Sequence, residues 1–222
     1  MSTYLRELEN EFRRVGDPAI ALQQSAYMRD KFPFFGIKSG LRREVQKPFL
    51  QKEFLPPLQD ARIMVKDLWN KPEREFHYFG QEFLQRYKKK LENDDISLIT
   101  YMMTHHSWWD TVDFITTQLV GHLFQTYPEL KESTIPSWMA SGNIWLQRSC
   151  LLFQIKYKEE TDEELLAELI IPLLGSNEFF INKAIGWALR QYSRSNPAWV
   201  RRFVETHPLH SLSKKEALRL LA

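Results

Sequence analysis

The sequence has a single cysteine, Cys150, in 222 residues. That excludes an intrachain disulfide and any Cys-x-x-Cys metal or redox motif, and it fits a reducing compartment. Its place in the apolar run SCLLF marks it as packed. The 8 glycines and 11 prolines are too few for a linker-rich or disordered chain. Charge excess is missing as well: 30 basic and 28 acidic residues leave a net charge of +2. Bulk charge therefore predicts no polyanionic partner, and any such partner must be argued from local clustering. No apolar run approaches the ~18 residues of a membrane span. The opening MSTYLRELENEFRR carries no apolar signal region. These absences lead us to expect a cytoplasmic protein outside the membrane. There is no HExxH pair, glycine-rich phosphate loop or GxSxG elbow. Of the 6 histidines, His105 and His106 are adjacent, which is poor geometry for one ion. No metal or cofactor is expected.

The chain does have helical periodicity almost throughout, as in ISLITYMMTHH and LLFQIKYK. Sustained period-2 alternation and Asn-Gly or Asp-Gly hairpin signals are absent. Short breaks such as FLPPL, NKPE, ASGN, LGSNE and RSNPA separate about a dozen expected helices. The fold class is therefore all-α.

A repeat search finds four comparable helix starts, at Asn70, His106, Ser141 and Ser176. Each polar start runs into an aromatic-rich helix: NKPEREFHYF, HSWWDTVDFI, SGNIWLQRSC and SNEFFINKAI. Ser107 followed by Asp110 reads as a capping box. A period of this size is the signature of a HEAT-like solenoid of helix pairs with one layer lining a concave face. The seventh residue after each start is His77, Asp113, Arg148 and Lys183, a row expected to form a surface stripe. Helical spacing extends it to Trp187, Arg190 and Arg194 from Lys183, to Lys156 from Arg148, and back to Trp109 from Asp113. The acidic run Glu159 to Glu168 falls on the intervening helix. Basic charge would then gather on one layer and acidic charge on the other, a layout suited to holding a polyanion in a groove.

Each feature also has a plainer reading. Tryptophan is usually core, and Trp69, Trp108, Trp138, Trp145 and Trp199 are read that way. Trp109 and Trp187 are either core or an exposed π surface among charges. Asp110 is a favourable first-turn charge. Asp113 lies past the first turn; it either acts in a site or pairs with Arg148 across the repeat.

The segments SWWDTVD, SGNIWLQR with LLFQIKYK, EFFINKAIGWALRQY, YMRDKFPFFGIKSGLRRE and LWNKPEREF resemble the AlkD family of HEAT-like-repeat alkylpurine DNA glycosylases. The similarity runs in order over about residues 3 to 221, with a slightly shorter C-terminus than in some relatives. The resemblance implies a single domain over residues 1–222 forming a right-handed superhelical solenoid with a DNA-binding groove. It implies hydrolysis of the N-glycosidic bond of cationic alkylated purines in double-stranded DNA, of the 3-methyladenine and 7-methylguanine type, initiating base excision repair. Its catalytic aspartate matches Asp113 and its two aromatic walls match Trp109 and Trp187. Its DNA-contacting positions match Tyr27, Arg43, Arg148, Lys156 and Arg190. Ser39 stands where some members carry another small hydroxylated residue. Lys183 and Arg194 join the expected DNA contacts from the stripe. The expected state is a monomer, cytoplasmic and nucleoid-associated when bound to DNA.

An alkylated purine is already cationic and leaves without protonation, so one carboxylate suffices where ordinary glycosidases use two. Asp113 would stabilise positive charge developing on the deoxyribose and orient or deprotonate water. The indoles would flank the sugar, each attracting cationic character by ~0.5 to 2 kcal/mol. A shallow groove implies recognition through backbone and sugar, the base staying largely stacked rather than flipped. The competing readings are a non-catalytic DNA-binding solenoid that senses distortion, and a protein-interaction scaffold.

Overall fold

The computed structural model describes residues 2–221. Among them the structure is all-helical, without a strand, as the periodicity requires. No helix among these residues is long and apolar enough to cross a membrane. The chain packs as two compact units, one ending at Leu91 and the other starting at Glu92.

The first unit holds α1 (Thr3–Val15), α2 (Pro18–Tyr27), α3 (Ser39–Gln46), α4 (Leu58–Trp69) and α5 (Arg74–Gln85). Asp17 caps α2, accepting from the backbone N–H of Ala19 and Ile20, with Pro18 at the first helical position. The core is aromatic: Phe12, Trp69, Phe76, Phe79 and Phe83 are fully buried. Such side chains contribute ~1.5 to 3 kcal/mol each on burial. The buried Glu75 carboxylate accepts from the backbone N–H groups of Phe35, Gly36 and Ile37 at 3.1, 3.0 and 3.1 Å. It thereby fixes the segment that leads into α3. Gly36 is obligatory there, with φ 87 and the place of a Cβ only 1.9 Å from Asp17 O.

The second unit holds α6 (Asp95–Thr104), α7 (Trp109–Ile115), α8 (Gly121–Thr126), α9 (Leu130–Ala140) and α10 (Ile144–Leu152). It continues with α11 (Glu163–Ile170), α12 (Phe179–Tyr192), α13 (Pro197–Thr206) and α14 (Ser211–Ala217). Helices α7, α10, α12 and α14 pack in that order, each against the next, while α6, α9, α11 and α13 pair with them. The helix starts at Arg74, Trp109, Ile144 and Phe179 are 35 residues apart, in phase with the sequence period. The turns into α7, α10 and α12 each use a left-handed residue: His106 (φ 50), Gly142 (φ 68) and Gly175 (φ 81).

Helix α7 does not stop at Ile115. It passes through a π-turn, Thr116–Val120, straight into α8. The Thr116 hydroxyl meets Ser149 Oγ at 2.7 Å in the buried seam against α10. Gly121 lies so close to the end of α10 that a Cβ would sit 2.5 Å from Phe153 O. The expected capping box at Ser107 does not form. Ser107 Oγ instead donates to Met103 O at 2.6 Å, and Trp108, in extended conformation, occupies the N-cap without a side-chain cap.

Candidate active site

The short segment that carries two tryptophans and two aspartates divides by helical angle. Trp108 is buried and meets Trp145 of α10 and Phe180 of α12 at ring-centroid distances of 5.5 and 5.2 Å. Trp145 and Phe180 are themselves 4.9 Å apart. This cluster ties the starts of α7, α10 and α12 together, so Trp108 is core as expected. One residue on, Trp109 is half-buried. One turn later comes Asp113, with 17% of its side chain exposed.

Arg148 of α10 grips that carboxylate from both nitrogens, Nε to Oδ1 at 2.7 Å and Nη2 to Oδ2 at 2.8 Å. Its Nη1 donates to Phe180 O at 2.5 Å. The guanidinium thus links α7, α10 and α12, which fixes both its plane and the direction of the carboxylate. Burial pushes the Asp113 carboxyl above its ordinary range. Arg148 pulls the other way by hydrogen bonding and charge, and nearby Asp110 adds a smaller upward push. The carboxylate is therefore not in a sealed apolar interior: it is partly wet, oriented and more basic than a surface aspartate.

The expected surface stripe requires correction at two of its four positions. His77 is fully buried; its Nδ1 lies 3.2 Å from Arg74 Nη1 and its Nε2 3.0 Å from Lys71 O. The aromatic surroundings of α5, with Trp69 and Phe32 against the imidazole, make it a core residue. Arg148 is 3% exposed, covered where it grips the half-buried Asp113 carboxylate. Within the second unit the remaining members are held in two separate sets of ion pairs rather than standing as a line of free cations. Lys183 of α12 joins Glu216 of α14 at 2.7 Å, and Arg190 joins the other oxygen of Glu216 at 2.7 Å. These contacts hold the Glu216 carboxyl below its usual range, Lys183 being the main cause. Trp187, between the two cations on α12, is half-buried.

Two extrapolations along helices also differ. Helix α10 ends at Leu152 and α12 at Tyr192, so Lys156 and Arg194 lie past the ends of the helices whose faces they were expected to extend. Both are exposed, and both line a cavity of about 410 Å³ with Leu166 and Tyr192. In the first unit, Tyr27 ends α2 and is 71% exposed. Ser39 opens α3 and also lines Tyr27's cavity, of about 580 Å³, along with Tyr78. Arg43 is exposed on α3. In the acidic run, Glu163 is engaged internally, accepting from Tyr192 OH at 2.6 Å and Asn196 Nδ2 at 3.0 Å. Cys150 is buried and its thiol is pushed up to about 12, so it is packed and unreactive.

Sequence reasoning missed Glu216, the Phe180 carbonyl and the π-turn. SLSKKEALRL reads as an ordinary surface helix, so nothing local distinguishes Glu216. The isolated Gly121 in a helical pattern was the available hint of a close backbone approach. Among the described residues, no cluster of three or more histidine, cysteine or acidic side chains could hold a metal.

A family model described as DNA alkylation repair enzyme matches residues 8–221. The chain belongs to the DNA alkylation repair enzyme family. A solved structure from Enterococcus faecalis, described as a predicted DNA alkylation repair enzyme, is 29% identical with a TM-score of 0.86. The match covers 93% of this chain and 97% of that one. No match was found among curated proteins. In this DNA alkylation repair enzyme the oriented, partly exposed Asp113 carboxylate lies one helical turn from half-buried Trp109 on α7.

Proposed function

We propose that this protein is a DNA glycosylase of the AlkD type, which releases cationic alkylated purines such as 3-methyladenine and 7-methylguanine from double-stranded DNA. The observation that carries the reading is the Asp113 carboxylate, partly exposed and held bidentately by buried Arg148, in a chain of the DNA alkylation repair enzyme family.

The scissile bond joins a neutral sugar to a purine that already bears positive charge. As the bond lengthens, that charge moves onto the deoxyribose and the base departs neutral. Asp113 stabilises the developing oxocarbenium character through space and accepts a proton from the attacking water. Burial strengthens both effects, because the local dielectric is low and the carboxylate is more basic. Trp109 and Trp187 offer π faces to the sugar, and no general acid is required. Arg148 serves first to orient Asp113. Tyr27, Ser39, Arg43, Lys156, Lys183, Arg190 and Arg194 hold the phosphodiester backbone, which positions the duplex without reading its sequence. The lesion base stays largely stacked, since the chemistry needs access to the sugar rather than to the base. The single domain over residues 1–222, the monomeric state and the cytoplasmic location belong to the same proposal.

The direct test is to incubate the purified protein with methylated duplex DNA and identify released bases by chromatography. Free 3-methyladenine or 7-methylguanine is the expected product. Retention of DNA without base release would identify a distortion-sensing binder, and neither retention nor release would leave a protein-interaction scaffold.

A further inference from the structure

We propose that Glu216 is a positioning residue of this excision site, setting Lys183 and Arg190 on either side of Trp187 before DNA arrives. The inference rests on the glycosylase reading above.

Lys183, Trp187 and Arg190 stand at i, i+4 and i+7 of α12, so they share a face. Helix α14 approaches α12 at Gly186, where a Cβ would meet Glu216 Cβ at 2.5 Å and Ser213 O at 2.9 Å. Only glycine permits this approach. Buried Ser213 Oγ donates to Asn182 O at 2.8 Å and fixes the register of the two helices. That register brings the Glu216 carboxylate between the two cations: Oε1 accepts from Lys183 Nζ and Oε2 from Arg190 Nη1, each at 2.7 Å.

Exposure separates an anchor from a lid. The Glu216 side chain is 12% exposed, Arg190 19% and Lys183 39%. The anion therefore lies beneath the cations. A carboxylate that blocked phosphate would show the reverse order. Lysine has three donors and arginine five, so each cation retains N–H groups beyond the one given to Glu216 while its side chain is already fixed. Long cationic side chains otherwise lose rotamer freedom on capturing a phosphate. Here that ordering is built into the fold.

Charge and geometry predict opposite results, which makes the idea testable on the full chain. Glu216→Gln adds one net positive charge. If charge alone mattered, it would bind undamaged duplex more tightly and excise at least as fast. Positioning predicts that single-turnover base release at saturating enzyme falls about 10- to 100-fold, the scale of a small misplacement at a reacting centre, while affinity for undamaged duplex does not fall. Glu216→Asp keeps the charge and shortens the reach by one methylene. It cannot span both cations, and it is expected to lose several-fold in the same rate with unchanged salt dependence of binding. If Glu216→Gln fails to fold, Glu216→Asp decides alone. Wild-type rates in a folded Glu216→Gln or in Glu216→Asp would overturn the proposal. So would a parallel loss of undamaged-duplex affinity, which would mark a purely structural role. Absence of base release by the wild-type protein would instead remove the glycosylase reading on which the proposal stands.

Discussion

Asp113→Asn and Asp113→Ala together separate the carboxylate's chemistry from its place in the fold. The Arg148 side chain is 4% exposed and makes its two strongest contacts to Asp113. In the alanine variant the guanidinium keeps the Phe180 carbonyl and little else. Removing one partner of a buried ion pair costs about 3 to 5 kcal/mol, because the remaining charge is uncompensated. The 17% exposure of the carboxylate admits water to the vacated site, so the lower end of that range applies. The asparagine variant is nearly isosteric. Its Oδ1 still accepts from Nε, but its amide nitrogen faces Nη2, donor against donor. Arg148 loses its counter-charge here too, but one hydrogen bond to it survives, so the loss stays nearer the ~1.5 to 3 kcal/mol of a single hydrogen bond to a charged group. Urea unfolding should thus rank wild type above asparagine above alanine. Base release from methylated duplex should fall about 10²- to 10⁴-fold in both variants, the usual contribution of a general base. DNA binding by the asparagine variant should be retained, since one repulsive charge toward phosphate is gone. Excision by a folded Asp113→Asn within a few-fold of wild type would show that the carboxylate does not act in the reaction.

Because burial raises the Asp113 carboxyl above its ordinary value of 3.8, the acid limb of the pH–rate profile should lie above that of an exposed aspartate. Arg148→Gln, which removes the lowering influence, should move the limb to still higher pH. The Glu216 carboxyl is depressed below 4.5, so its stabilisation is present above the unfolded value and lost as pH falls through the folded one; the stability gap between wild type and Glu216→Gln, followed by urea unfolding, should close across that acid range. Gly121→Ala places a methyl 2.5 Å from the Phe153 carbonyl; the melting temperature should drop, reflecting about 1 to 3 kcal/mol of overpacking. Lys156→Gln and Arg194→Gln, both exposed past their helix ends, should each reduce the salt slope of DNA binding by about 0.9 if each meets one phosphate.

Periodicity was sufficient for the all-helical class and for the 35-residue spacing of the helix starts at Arg74, Trp109, Ile144 and Phe179, because amphipathic spacing and polar starts are local properties of the chain. The separation of Trp108 from Trp109 and of Asp110 from Asp113 was legible for the same reason: helical angle alone sends neighbours to different surfaces. Depth was not legible. His77, Asp113, Arg148 and Lys183 are equivalent by register, yet the first and third are buried and the fourth is not. A paired carboxylate does not decide it, since Lys183 meets Glu216 at 2.7 Å and stays half-exposed; depth is set by what packs over each side chain. The ends of α10 and α12 were missed for a related reason. The chain remains helix-compatible through Lys156 and Arg194, and tertiary turns rather than propensity stop the helices. The π-turn after Asp113 has no signature beyond Gly121, which is there to let α8 close on the Phe153 carbonyl.

The pairing of so many site cations with acids looks at first like an argument against DNA binding, since a protein meant for phosphate would be expected to leave its cations free. The exposures argue otherwise. In the Lys183–Glu216–Arg190 triad the acid is the most covered member, and in the Asp113–Arg148 pair the cation is. The inversion matches the roles assigned. On the proposed function, the more covered anion orients the cations meant for phosphate. On the same reading, the more covered cation orients the carboxylate meant for the charge developing on the sugar. A surface of free lysines would attract DNA more strongly and orient nothing, and a salt-steep binder with no preference for lesion-bearing duplex would result. A near-neutral chain with paired charges gives up bulk attraction in exchange for fixed geometry. The two arrangements differ measurably: pre-paired cations should give weak affinity for undamaged duplex together with a salt slope that Glu216→Asp leaves unchanged.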